Sequence, residues 1–351
     1  MAQAPHPPAT PHSQALGSQE PWKVPELVRK PRMEPRGTTS YLRSMRARDA
    51  IELFVLAAVW GASFLFMRVA APELGPVALI WLRVGIAALC LVPVAALRSR
   101  TALRGRLLPV AVVGAINSAI PFCLLAYAML SVTAGLASIL NATSPLWGAL
   151  VAHHWLKDRL TRGRALGLAV GFGGVIFLVW GRASFTSGGA GLAVVAAMAA
   201  TLSYGIAASY TKRTLTGVNP LAVAAGSQLA AALLLAPAAF LLWPAHPVSA
   251  RAWGAVLGLG VACTAFAYVL YFRLIAHVGP ARAIAVTFLI PPFALTWGGL
   301  LLGEPLTPRT VVGACVILAG TALATGLVKL PARAARRVEV EQRSRIRTEA
   351  P

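Results

Sequence analysis

Residues 51–328 read as two copies of one unit laid end to end, and this repeat limits the possible folds more than any single motif. With Pro145 set over Pro291, a constant offset of 146 places Asp158 on Glu304 and Leu160-Thr161 on Leu306-Thr307. The same offset places Gly167 on Gly313, Gly174 on Gly320 and Ala137 on Ala283. Upstream the offset becomes 144, a two-residue indel, and Gly61 meets Gly205, Trp60 meets Tyr204, Arg68 meets Lys212, Pro76 meets Pro220 and Pro93 meets Pro237. Halves that agree in prolines, glycines and loop residues imply duplication, a layout common among membrane carriers.

The solvent of this unit follows from its composition. Hydrophobic residues make up 57% of the 351 and charged residues 12%, against about 25% charged in soluble domains. A bilayer core needs roughly 20 helical residues per crossing. Stretches that meet this need lie at 51–70, 76–97, 107–129, 134–154, 163–180, 188–210, 220–243, 251–275, 280–302 and 308–328. They are apolar on every face and lack the period-two alternation of a membrane barrel. The expected fold is therefore an all-α integral membrane protein of ten transmembrane helices in two inverted five-helix repeats, 51–180 and 188–328. Residues 1–50, rich in Pro, Arg and Ser and without an apolar stretch, are expected to be a disordered basic cytoplasmic tail rather than a signal peptide. Residues 329–351 are expected to be a second basic cytoplasmic tail.

The net charge of +21 does not point to nucleic acid, because the charges crowd into the tails and the loops of one face. With the N-terminus inside, 27 of the 32 Lys and Arg fall on inner segments, and only Arg182, Arg251 and Arg309 fall outside. That bias places both termini in the cytoplasm, in the cell membrane. Because each repeat holds an odd number of spans, the second copy enters the membrane upside down. Inverted repeats place a solute site near the midplane and support alternating access.

Several segments carry a resemblance. They are Val59-Trp60-Gly61-Ala62-Ser63-Phe64, Trp81-Leu82-Arg83, Gly114 through Phe122, Ala134 through Leu146, and Gly303-Glu304-Pro305-Leu306-Thr307. In this order, over 51–328, the chain resembles the drug/metabolite transporter superfamily and in particular its EamA-type ten-helix exporters. The resemblance implies ten helices, an inverted pseudo-twofold axis and movement of small metabolites or drugs, while leaving the substrate open. It also implies an acidic residue in the loop after the fourth span, where Asp158 stands, with Glu304 in the second half. The basic run around Asp158 is heavier than the family's, and the first fifty residues have no counterpart.

Pro145 and Pro291 fall mid-span. Proline cannot donate to the carbonyl four residues back, which frees those of Asn141 and Thr287. Kinked, polar backbone at membrane depth is tolerated where it is buried in protein or lines a wet cavity. The two prolines are therefore hinge candidates and Asn141 and Thr287 site candidates, the alternative being a packing kink capped locally by Ser144 or Thr143. Arg83, inside the second span and opposite Ser227 of the other copy, is placed to hold a carboxylate or phosphate, to order helix ends or to snorkel. Arg68 and Lys212, at span ends, read as interfacial anchors. Trp60, Asn117, Trp147, Tyr204, Gln228, Thr264, Tyr268 and Trp297 complete the expected substrate-binding set, each also explicable by packing.

No metal or cofactor is expected. His153 and His154 diverge by about 100° on a helix and cannot share an ion, and Cys90, Cys123, Cys263 and Cys315 lack ligand spacing. The spacings Gly167/Gly171 and Gly254/Gly258 read as close helix packing. Between Glu52 and Glu339 the only carboxylates are Glu73, Asp158 and Glu304, so no buried acid is expected as a proton carrier or cation clamp. This favours export of neutral, zwitterionic or anionic solutes such as amino acids. An importer or a lipid-linked flippase of the same fold stays open, and a membrane-embedded enzyme would need a nucleophile and base that the spans do not offer. The expected partners are a small-molecule substrate and the lipid bilayer, with monomer and homodimer both open.

Overall fold

The computed structural model describes residues 46–98, 103, 105–180 and 190–328. The expected tails lie outside this range, except that the first helix begins at Ala47. Every described element is helical: α1 (Ala47–Arg98), α2 (Leu107–Gly114), a π-helix π1 (Ala115–Ala119), α3 (Ile120–Ala128), α4 (Ala134–Asn141), α5 (Ser144–Trp155), α6 (Arg162–Val179) and α7 (Ala190–Thr214). They are followed by α8 (Pro220–Leu241), α9 (Ala250–Leu257), a π-helix π2 (Gly258–Phe266), α10 (Ala267–Val278), α11 (Pro280–Ala283), α12 (Val286–Leu302) and α13 (Pro308–Thr325).

Among the described residues, eight helical stretches are long and apolar enough to cross a membrane, and α12 is a shorter apolar helix. At 1.5 Å per residue, the 52 residues of α1 would span roughly 78 Å if straight, far beyond a bilayer core of about 30 Å. The chain breaks it at Gly75, whose φ of 72° and ψ of 158° are not helical, between Pro72 and Pro76. Only glycine adopts that backbone freely.

Without a hydrophobic driving force in lipid, helices associate where backbones approach closely. The tightest approach is α6 against α13. A Cβ on Gly320 would lie 2.8 Å from the Gly167 carbonyl oxygen and would press on the Gly171 backbone as well. A Cβ on Gly174 would meet Ile317 and Val316. The Gly167/Gly171 spacing is thus a packing seam, whereas Gly254 faces open space and Gly258 faces the Phe66 ring. Large apolar side chains left exposed, such as Leu89, Leu233, Phe240 and Leu300, suit acyl chains.

The loops after α5 and α12 are built alike. Lys157 and Gly303 are both left-handed, at φ 59° and 66°. Asp158 N–H donates to the Ala152 carbonyl and Glu304 N–H to that of Gly298. Thr161 Oγ1 then caps Arg164 N–H and Thr307 Oγ1 caps Thr310 N–H, starting α6 and α13. The 146-residue offset holds for every atom pair in this comparison.

Candidate functional site

Arg83 is only 5% exposed, so it does not snorkel. Its Nε donates to Thr264 Oγ1 at 3.0 Å, its Nη1 lies 3.7 Å from Met67 Sδ, and its guanidinium carbon stands 3.8 Å over the Phe122 ring centroid. Stacking on an aromatic face covers one side of the guanidinium plane and leaves in-plane donors available. Among the described residues no Asp or Glu forms an ion pair with it. Tyr204, Cys263 and Tyr268 lie nearby.

The partner hydroxyl is presented by an irregular helix. Thr264 Oγ1 donates to the Leu259 carbonyl, five residues back, within π2. The wider π turn leaves carbonyls without ordinary α-helical partners and is frequent at functional positions. The first repeat has its own π-helix, and residues 115–119 map onto 259–263 at the 144 offset. There Ser203 of α7 donates to the Ile116 carbonyl.

Gln228 of α8 adds a second polar element. It is fully buried; its Nε2 donates to Ser118 Oγ of π1 at 2.8 Å, and its Oε1 is left without a partner. Tyr268 lies close to Ser118. Five expected residues, Arg83, Tyr204, Gln228, Thr264 and Tyr268, therefore meet in one cluster drawn from α1, π1, α3, α7, α8, π2 and α10.

The other expected residues are placed elsewhere. Trp60 packs its ring on Tyr271 at 5.2 Å. Asn117 is half-buried in π1. Trp147 meets Phe172 edge-on at 4.9 Å, with its indole N–H buried and unpartnered. Trp297 donates to the Ala58 carbonyl, and Thr287 Oγ1 to that of Ile284. Pro145 follows a helix interruption at Ala142-Thr143, and the Asn141 carbonyl it frees is taken by Ser144 Oγ at 2.6 Å, the local cap. The Asn141 side-chain oxygen is buried without a partner. Pro291 lies inside the continuous α12, and the interruption in that half falls earlier, at Ile284-Ala285. Arg68 donates to the Met129 carbonyl, bracing α1 against the end of α3.

One expectation fails. Buried acids do exist: Asp49 is 7% and Glu52 9% exposed, because the end of α10 packs over the head of α1, which starts at Ala47. Glu52 pairs with Arg273 at 3.0 Å and Arg48 at 3.2 Å, and Asp49 approaches His277 at 3.6 Å. Asp49, Glu52 and His277 have metal-ligand proximity, yet two guanidinium groups already sit on Glu52, so the cluster balances its own charge. Asp49 and Glu52 are spaced i, i+3 at the head of the first span, and that spacing was the available signal. Cys90 and Cys315 are exposed; Cys263 is buried with its Sγ 3.1 Å from the Val59 carbonyl.

The model of the EamA-like transporter family matches twice, over residues 50–180 and 191–326. The chain belongs to the EamA-like transporter family. It is therefore a multi-pass membrane protein of a transporter family. An uncharacterized transporter of Archaeoglobus fulgidus is 26% identical over 278 residues, covering 77% of this chain and 96% of that protein. A probable terminal-alkyne amino-acid exporter of Streptantibioticus cattleyicolor is 30% identical over 290 residues, covering 80% and 94%. A crystal structure at 21% identity superposes with a TM-score of 0.57, over 84% of this EamA chain and all of the other. That last likeness concerns the fold alone.

Proposed function

We propose that this EamA-family chain exports small carboxylate-bearing solutes, amino acids among them, by alternating access around Arg83. The frame of this reading is ten spans in two inverted five-helix repeats with both termini cytoplasmic. The break at Gly75 supports counting α1 as two spans, and the bias of Lys and Arg toward one set of loops supports the orientation. The name of the Streptantibioticus cattleyicolor relative supports both the outward direction and the amino-acid class.

The observation that carries the proposal is Arg83 itself, buried, hydrogen-bonded through Nε to a neutral hydroxyl and free of any carboxylate partner among the described residues. A charge at membrane depth without a counter-ion costs several kcal/mol. A solute carboxylate recovers part of that cost by a charge-assisted hydrogen bond. The unpartnered Gln228 oxygen offers an acceptor for an ammonium or amide group of the same solute. Trp60, Asn117, Asn141, Trp147, Thr287 and Trp297 are proposed to line the rest of the path, with Pro145 and Pro291 as hinges.

Thermal stabilisation of the purified protein across amino acids, sugar phosphates, nucleobases and cationic drugs tests this, because a ligand raises the melting point by mass action. The expected result is a shift with amino acids that is lost in Arg83→Ala. The charge-assisted contact is worth about 1.5–3 kcal/mol, or roughly 10- to 150-fold in affinity. A shift with cationic drugs alone, retained in Arg83→Ala, overturns the proposal.

A further inference from the structure

The two matching loops differ in one respect: where the carboxylate goes. Glu304 reaches across to the first repeat and caps α4. Its Oε1 accepts from Ala134 N–H at 2.8 Å and its Oε2 from Gly135 N–H at 3.2 Å. Thr133 Oγ1 takes the next donor, Leu136 N–H. The first turn of a helix leaves its N–H groups without internal partners and carries partial positive charge, so Glu304, from the other half of the molecule, supplies two of the three side-chain bonds that cap α4. Leu295 of α12 lies against Gly135 beside it. Asp158, the matching carboxylate, instead meets Lys212 of α7 at 3.6 Å, both side chains about half exposed or more. The helices correspondingly differ: α12 packs on α4, whereas their equivalents, α5 and α11, make no comparable contact among the described residues.

We infer that Glu304 is a latch that closes one mouth of the transport path, and that Asp158 is its counterpart on the opposite mouth, disengaged in this conformation. The inference rests on the inverted-repeat reading, which sets the two loops on opposite membrane faces. Transport then requires the Glu304 cap to break as the other mouth closes. Loss of the cap shifts the population toward the opposite state rather than merely loosening α4.

Thiol labelling tests this without a known solute. Cys90, Cys123, Cys263 and Cys315 are replaced by serine, and Leu295→Cys or its equivalent Ala149→Cys is added singly. A membrane-impermeant maleimide is applied to intact cells and to inverted vesicles. Loss of two charge-assisted hydrogen bonds in Glu304→Ala is expected to raise the labelling rate of Leu295→Cys about tenfold or more and to lower that of Ala149→Cys by a similar factor. Glu304→Gln, which keeps a carbonyl acceptor, is expected to fall between, and a retained melting point shows that each variant is folded. An unchanged rate at Leu295→Cys overturns the latch. A rise there with no change at Ala149→Cys also overturns it, since that is local fraying. Labelling of both cysteines from the same membrane face overturns the inverted-repeat reading and the latch with it, whereas labelling from opposite faces without a Glu304 effect removes the latch alone.

Discussion

Gly320→Ala sets two known effects against each other at one position. Alanine exceeds glycine in helix propensity by about 0.8–1.0 kcal/mol, so propensity alone predicts a more stable helix. The added Cβ on α13, however, would stand 2.5 Å from Gly171 Cα and 2.8 Å from the Gly167 carbonyl oxygen. Comfortable carbon contacts lie near 3.5–4.0 Å, so the helices must part by roughly 1 Å. All the opposing atoms are backbone, and no rotamer change relieves the contact. Overpacking costs about 1–3 kcal/mol, and an obstruction made wholly of backbone belongs at the upper end, leaving a net loss of about 2 kcal/mol after the propensity gain. Gly173→Ala on α6 is the control, since nothing lies within 4 Å of its added Cβ. Melting of the detergent-purified protein should rank Gly173→Ala at or above the parent, and the parent above Gly320→Ala. Gly320→Ala melting at or above the parent would refute the reasoning, because the seam between α6 and α13 would then not be in backbone contact.

Lys157 is the only non-glycine with positive φ among the described residues, and its counterpart in the other loop is Gly303. Left-handed backbone costs an L-residue roughly 1–2 kcal/mol, so Lys157→Gly is expected to raise the melting point while leaving the Thr161 cap in place. A fall would show that the loop does not hold that conformation. Glu73, at the bend between the two arms of α1, accepts from Ser249 N–H and Ser249 Oγ, both at 2.7 Å. These bonds hold its carboxyl below the ordinary 4.5. The stabilisation is present above the unfolded value and is lost as pH falls through the lower folded one. Unfolding of Glu73→Gln should therefore depend less on pH than that of the parent below pH 4.5, and an unchanged profile would show that the Ser249 contact does not persist.

The repeat was legible in the sequence to the level of single hydrogen bonds. The bonds from Asp158 to Ala152 and from Glu304 to Gly298 follow the offset because loop geometry is local, set by a left-handed residue and a threonine cap. Arg83, Thr264 and Gln228 stood out as polar residues in apolar runs. What was not legible is how they pair. Met67 completes the cluster across the Gly75 break of α1, and Phe122 and Ser118 through contacts between elements distant in sequence, and no periodicity encodes these. Proline marked a candidate break in each half but not its position: Ser144 and Thr143 close the first locally, while the second falls at Ile284-Ala285, ahead of Pro291 and Pro292. Of the acids at the head of α1, Asp49 lies before the expected span and Glu52 is its second residue, and their burial depends on α10, distant in sequence.

The paired π-helices bear on the history of the chain. A π turn holds one residue more than the α turn it replaces and commonly marks the insertion of a single residue into a helix. Residues 115–119 and 259–263 sit at matched positions in the two halves. A bulge carried by the unit before its duplication would leave this common register. Each half carries its own polar residue there: Ser118 in one, Thr264 in the other. The halves thus share the bulge and differ in the polar groups set on it, so the asymmetry around Arg83 resides in side chains carried by a common backbone irregularity.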